Sequence, residues 1–581
     1  MGYLLYATAI RKWLAGSGSS DSRADLPCIG GAAGEIVANE PLSASSLNRW
    51  ITAFVFVGVL ARAVRYYLCF PLWDDESFLC VNFIERSWAE LLQPLDYHQM
   101  APVLFLWIER ASVRIFGFSE YALRLFPFVC SIASLFLFHR VASKLLSGAG
   151  LLFAVAIFAV SYPGIRYAAE AKPYGTDTLI SLVFLTLVVE WYQRRDWRVL
   201  IALAALMPLG LGVSLPAVFV AGGFSLVVGS VLWRDGGTVR EWRSWIAWNV
   251  TLIVSFAIWM TLVSRVQGTA EGEFMEQYWK ENFPPIRQPW SVPLWMVKTH
   301  ASDFLAYPLG GPNWASSATF LVSVAGLWRL FSRRRFVWLG LLLAPASLHL
   351  LAAALQKYPY GGHVKFSQYL APMICCVTAA GMVQIVEWLT GRGFAVRRSV
   401  AWSCGLLMLI GCGSMARDLA SPYKTRSDER ARAFAKAFWY GTHFAEEVAC
   451  IKSDLKLDFI PEQHRQLSWS AHYLCNRAIE ISRSKLRPAD FDRVSVTRPL
   501  RCVLYRDSRY KLDEPKLASW LDEMQQRFVL IGHESIPFPR LSKNERQLLT
   551  MEYIDSYKFI PREASDETGK PKKPDGQGSI Q

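Results

Sequence analysis

Three adjacent acids, Asp74-Asp75-Glu76, follow a hydrophobic stretch that starts near Trp50. They head a segment, residues 71–100, that also holds Glu85, Glu90 and Asp96 against a single Arg86. A carboxylate can accept the proton of an attacking hydroxyl, and it can ligate a hard metal ion. Acids beside a membrane mark function when they line a bundle interior, although the same run also suits a solvated loop. A second group is Arg166-Tyr167-Ala-Ala-Glu170-Ala-Lys172-Pro-Tyr174-Gly-Thr-Asp177. Glu170, Tyr174 and Asp177 fall at i, i+4 and i+7, which is one face of a helix, while Pro173 disturbs that phase. Lys172 and Tyr174 also fit a plain interfacial anchor.

Two further groups have donors and aromatic surfaces. The loop 265–315 holds Tyr278, Trp279, Lys280, Trp290, Trp295 and His300 among Pro284-Pro285, Pro289 and Pro293. A long aromatic loop suits a lid or a sugar-stacking surface, or an interfacial belt. In Tyr358-Pro-Tyr360-Gly-Gly-His363-Val-Lys365 the glycine pair lets backbone approach a ligand, and His363 and Lys365 offer donors suited to a phosphate. A lone histidine is more often a surface residue. Arg62 and Arg65, near the end of the first apolar run, either meet an anionic lipid head group or snorkel. Together these types suit one reaction: a sugar arrives on a lipid phosphate, a carboxylate deprotonates the acceptor hydroxyl, and a cation stabilises the departing phosphate.

The elements that must position these residues are membrane helices. Of the 581 residues, 52% are hydrophobic, with 23 Trp, 34 Phe and 22 Tyr; the mean hydropathy is +0.20. The net charge of +14 does not imply nucleic acid. Arg194, Arg195 and Arg198, then Arg234, Arg240 and Arg243, then Arg333, Arg334 and Arg335, then Arg392, Arg397 and Arg398 sit in short gaps between apolar runs, the pattern of topology signals. Runs near the length that crosses about 30 Å of hydrocarbon predict spans at 50–70, 123–143, 149–166, 176–192, 199–213, 214–232, 245–264, 316–331, 336–355, 366–388 and 399–416. Ser214 and Pro216 divide the least clear pair.

With the N-terminus inside, five gaps (139–148, 190–198, 233–244, 332–335 and 391–398) are cytoplasmic and hold fourteen Lys or Arg against four acids. The acidic segment, the 166–175 turn, the aromatic loop, the Tyr358–Lys365 loop and the C-terminal tail then face outward. Residues 102–117 are apolar but short and carry Glu109, Arg110 and Arg114, which predicts a helix lying in the interface between Pro102 and Gly117. Counting it as a span would invert every later gap.

The fold class expected is therefore mainly α: a polytopic membrane protein with about 11 transmembrane helices, interfacial helices in the first outer loop, and a small C-terminal α/β domain. The strand-like runs Arg501–Tyr505 and Arg527–Ile531, with a helical pattern at Lys516–Gln526 between them, support that last part. The expected boundaries are 1–48 for a cytoplasmic leader without a cleaved signal, 49–418 for the membrane domain, 419–560 for the α/β domain and 561–581 for a disordered tail. Eleven cysteines show no metal-ligand spacing; Cys375-Cys376 reads as packing, and Cys450, Cys475 and Cys502 leave one disulfide open in the tail. A Gly-rich nucleotide-phosphate loop is missing, which weighs against an ATP-driven machine.

The order Asp75-Glu76, His98-Gln-Met-Ala-Pro102-Val-Leu-Phe, Phe116-Gly-Phe-Ser-Glu120-Tyr-Ala-Leu-Arg124-Leu-Phe-Pro127 and Glu170-Ala-Lys-Pro-Tyr174 resembles the GT-C glycosyltransferases. Within them it is most similar to the protein O-mannosyltransferase and lipid A aminoarabinose transferase branch, over residues 50 to 420. The resemblance implies a membrane enzyme that uses a polyprenyl-phosphate sugar on the outer face. It implies that Asp75 is catalytic with Asp74 as the fallback, Glu76 beside them, and that Glu170 or Asp177 is the second outer acid. Lys365 stands before Tyr369-Leu-Ala-Pro372 where the family commonly has Arg, Lys172 likewise replaces an Arg, and Ala101-Pro102 replaces a common Pro-Pro. The expected substrate-binding set is Glu170, Lys172, Tyr174, Asp177, His98, Lys365, His363 and Arg62. A divalent metal, held by Asp75 and Asp177, is the one cofactor left open. The expected partners are the lipid-linked sugar, a hydroxyl acceptor on lipid, glycan or protein, and membrane lipids, with no nucleic acid, at the plasma membrane. A transporter or flippase for the same lipid is the alternative; it would place charges at mid-bilayer and show two related halves. A scaffold that displays the tail would not need the acidic loop.

Overall fold

The computed structural model describes residues 43–266, 279–441, 448–451, 471–484, 499–507, 514–541 and 548–562. Nearly all of the expected leader, the expected tail from 563 onward, and Tyr278 lie outside the described residues. Each of the eleven apolar runs forms helix, because a chain with no water to bond must satisfy its backbone internally. Among the described residues, eight helices are long and apolar enough to cross a membrane: Ala44–Tyr67, Glu120–Leu145, Tyr174–Arg194, Ala217–Asp235, Val239–Leu262, Phe336–Ala354, Gln368–Thr390 and Val396–Ala420. A ninth candidate is the pair Gly148–Val160 and Tyr162–Ala169, bent by 46° where Ser161 is extended and Pro163 restarts the helix. The remaining two runs, Trp197–Val213 and Ser317–Ser332, are apolar but only 17 and 16 residues long, short of the ~20 that span unaided. The divide at Ser214 is real: its backbone is extended, and Pro216 caps the next helix.

The chain forms two compact units. The first takes in residues up to 67, 100–106 and 124–419. Its centre is the helix Gly148–Val160, buried along nearly all its length, as expected of a helix apolar on every side. Gly58 lets the first helix approach Ala159, and Gly411 lets the last approach Val160. Ser317–Ser332 and Ala371–Thr390 meet backbone to backbone at Gly326 and Gly381, where any β-carbon would strike a carbonyl of the facing helix. Ion pairs tie helix ends together: buried Arg65 to Asp418 at 2.6 Å, and buried Arg329 to half-buried Glu387.

The second unit takes in 68–99, 107–123 and 420–581, so the first loop after the first span shares a compact unit with the C-terminal segment. The helix Asp74–Cys80 packs on Ala471–Ser484, which packs on Arg426–Gly441. Glu120, 1% exposed, takes Arg483 at 2.8 Å and Arg432 at 3.5 Å. The expected helix at 102–117 is present as Val103–Phe116 and ends at Gly117, whose φ of +81° needs glycine. The sheet runs β1 (Val448–Ile451), β2 (Leu500–Asp507), β4 (Leu548–Pro561), β3 (Phe528–Leu541). β1 is parallel to β2, and β4 is antiparallel to both neighbours, with Leu500 opposite Phe559 and Phe528 opposite Pro561. The expected helix appears as Glu514–Arg527 and buries Trp520 against Tyr557 and Phe559 of β4. Cys475 and Cys502 are both buried and are not joined by a disulfide.

Candidate functional site

Asp74, Asp75 and Glu76 form the first turn of the helix Asp74–Cys80, where negative charge offsets the partial positive end of the helix. Their roles diverge from there. Glu76 is 1% exposed and accepts from the Trp73 N–H at 3.4 Å, so it closes the start of the helix. Asp74 and Asp75 are half-buried. Asp74 Oδ1 lies 3.9 Å from His472 Nδ1, and Asp428 Oδ1 lies 3.8 Å from His472 Nε2. Asp428 is 2% exposed; its Oδ2 accepts from the Thr425 N–H at 3.0 Å and its own N–H donates to Thr425 Oγ1 at 3.1 Å, a capping pair that fixes its position at the head of Arg426–Gly441. Burial, followed by the charge of Asp74, holds the Asp428 carboxyl well above the usual carboxylate range.

One ligand atom from each of Asp74, Asp428 and His472 lies within 4.8 Å of the other two. Asp75 and Asp177, the metal ligands expected from sequence, are not in this group. Asp428 and His472 escaped sequence reading because neither sits in a metal-ligand motif and both lie far downstream of the acidic loop. The one available signal was Thr425-x-x-Asp428, a helix-start signature that says nothing of a site.

In the first unit the second constellation takes a different shape from the expected one. The helix begins at Tyr174, with Pro173 as its cap, and Glu170 precedes it in extended backbone at φ −126°, ψ 134°. Glu170 therefore does not share a helix face with Tyr174 and Asp177; the proline, which cannot continue a helix from its N-terminal side, imposes the break. Glu170, 3% exposed, pairs with Arg166 at 2.6 Å, and Tyr167 packs at a tilt against Tyr174 with ring centroids 4.6 Å apart. Lys172 and Asp177 are also buried. Thr178 donates to the Gln368 carbonyl at 3.1 Å, which ties this helix to the run before Pro372.

The aromatic loop and the glycine-pair loop come together. Tyr360 and Gly361 both donate backbone N–H groups to the Asn282 carbonyl, at 3.1 and 3.3 Å. Gly362 sits at φ +82° with Asn282 where a side chain would be, so glycine is required twice over. Lys365 Nζ lies 4.6 Å from the Trp279 ring centroid, and His363, exposed, meets the same ring at 5.4 Å. His300 lies 3.2 Å from the Tyr360 hydroxyl, and burial lowers its basicity. Trp290 is exposed. Arg62 is 1% exposed and donates to Ser131 and to the carbonyls of Gly58 and Ala159, at 2.9–3.0 Å; its guanidinium is occupied inside the bundle. His98 ends the short helix Asp96–His98.

Residues 100–264 match the sequence profile of the dolichyl-phosphate-mannose-protein mannosyltransferase family. That match shows the resemblance to the GT-C glycosyltransferases over this stretch. No curated protein sequence matches the chain. Among solved structures, ArnT from Cupriavidus metallidurans bound to undecaprenyl phosphate superposes at a TM-score of 0.49 and 10% identity, covering 87% of this chain and 98% of that one. The Archaeoglobus fulgidus oligosaccharyltransferase in complex with zinc and sulfate superposes at 0.40 and 11% identity, covering 73% and 61%.

Proposed function

We propose that this chain is a GT-C-type membrane glycosyltransferase that moves a sugar from a polyprenyl-phosphate donor to a hydroxyl on a lipid, glycan or protein. The observation that carries this reading is the family match over residues 100–264, in a chain whose first loop presents Asp75 half-buried at a helix start. Asp75 acts as general base on the acceptor hydroxyl; it stands half-buried in the first turn of the helix, next to Glu76, which closes the helix start. Lys365 and Lys172 supply positive charge to the leaving lipid phosphate, and Glu170, held by Arg166, is the second acid. The clustering of Trp279, His363 and Lys365 supports a surface on which the donor's sugar-phosphate stacks and pairs. Fourteen basic residues in the five inner gaps support an inside N-terminus and an active site on the outer face of the plasma membrane. Residues 49–418 serve as the transferase domain.

The test is a purified chain reconstituted in vesicles with polyprenyl-phosphate sugars. Release of polyprenyl phosphate that depends on an added hydroxyl acceptor is the expected result. Movement of the intact lipid-linked sugar across the bilayer, with no bond broken, would replace this reading with a flippase.

A further inference from the structure

We infer that Asp74, Asp428 and His472 form a binding site for one divalent cation of the zinc or manganese class, built jointly by the acidic loop and the C-terminal segment. The inference goes beyond the transferase reading and holds whether or not the chain moves a sugar. The three residues come from three helices of one compact unit: Asp74–Cys80, Arg426–Gly441 and Ala471–Ser484. One nitrogen of His472 and one oxygen of each aspartate lie within 4.8 Å of one another; Asp74 stands 3.9 Å from Nδ1 and Asp428 3.8 Å from Nε2, so one ion would be held through a single ring nitrogen turned toward both carboxylates. Ligands bonded to zinc at about 2.0–2.2 Å stand roughly 3 to 4.4 Å apart, so the trio closes on an ion once the imidazole turns and the side chains draw in.

The donor set selects the metal. One imidazole with two carboxylates suits zinc or manganese; calcium and magnesium favour all-oxygen shells. Asp428 is 2% exposed, so little water competes for its oxygens. Asp428 is also oriented as bound ligands usually are, since the Thr425 N–H holds Oδ2 at 3.0 Å while Oδ1 faces His472. An ion here would pin both C-terminal helices to the loop that carries Asp75. The tail would thus be part of the outer site rather than an appendage.

The full chain in detergent, stripped with EDTA and dialysed against micromolar ZnCl2 or MnCl2, should retain about one ion per chain, the stoichiometry of a single site. Elemental analysis reads the metal content and thermal unfolding reads the gain in stability. Asp428→Asn and His472→Gln should each weaken binding by at least about a hundredfold, above the loss usual for outer-shell partners. If either variant fails to fold, Asp74→Asn, which changes a half-buried side chain, decides the matter by the same loss. Wild-type chain that retains no ion, or Asp74→Asn that binds as wild type does, overturns the site.

Discussion

Glu109 gives a sharp test of how the second unit is packed. It lies on the helix Val103–Phe116, is fully buried, and neither carboxylate oxygen has a hydrogen-bond partner among the described residues. Burial pushes its carboxyl well above the usual range. The folded chain therefore keeps this proton longer than the unfolded chain, which loses it near pH 4.3 or so. Below that pH both states are protonated and the group costs nothing through titration. As pH rises toward the raised folded value, stability is lost at up to about 1.4 kcal/mol per pH unit. Glu109→Met keeps roughly the volume and removes both the titration and the unsatisfied oxygens, whose burial costs about 1–3 kcal/mol. The Met variant should thus gain about that amount near pH 5, and more at pH 8. Thermal unfolding of full-length protein in detergent at the two pH values reads both effects. Equal pH dependence in wild type and variant, or a Met variant less stable at pH 8, would refute the reasoning.

Lys365→Met should raise the donor KM roughly 10- to 100-fold, the value of about 1.5–3 kcal/mol for a hydrogen bond to a charged group. Folding should be intact and Lys365→Arg should restore donor use; unchanged donor kinetics would remove Lys365 from the site. A reporter fused after Tyr423 should be active outside the cytoplasm, and activity only inside would reverse the topology. Gly381→Leu should lower thermal stability by at least about 1–3 kcal/mol, because its side chain would strike the Val322 carbonyl of the facing helix; a variant as stable as wild type would contradict the close helix approach.

The helices were legible because each rests on local signals. Apolar length marked every run, Ser214 and Pro216 marked a break, and Gly117 marked an end. Two runs were legible as helix but too short to meet the length of a span, since apolar stretches blur into one another where turns are also apolar. Periodicity misled at Glu170: its i, i+4, i+7 spacing is sound arithmetic, but Pro173 ends the phase before the helix begins. The contact of the aromatic loop with the glycine pair, through Asn282, depends on tertiary packing that no spacing encodes. The same holds for Asp428 and His472. Boundaries drawn by composition separated the acidic loop from the tail, whereas the two fold into one unit around Glu120 and His472.

The central claim is that Asp75 takes the acceptor's proton during sugar transfer from a polyprenyl phosphate. The most direct measurement compares initial rates of acceptor-dependent polyprenyl-phosphate release for wild type, Asp75→Asn and Asp74→Asn. Asparagine keeps the side chain's shape and cannot act as a base. Transfer by Asp75→Asn should fall by at least about a hundredfold, within the range usual for general acid–base catalysis, with expression and thermal stability close to wild type. Loss confined to Asp74→Asn, with cation binding unchanged, would shift the base by one residue. Near-normal transfer by both single variants and by the double variant would contradict the mechanism.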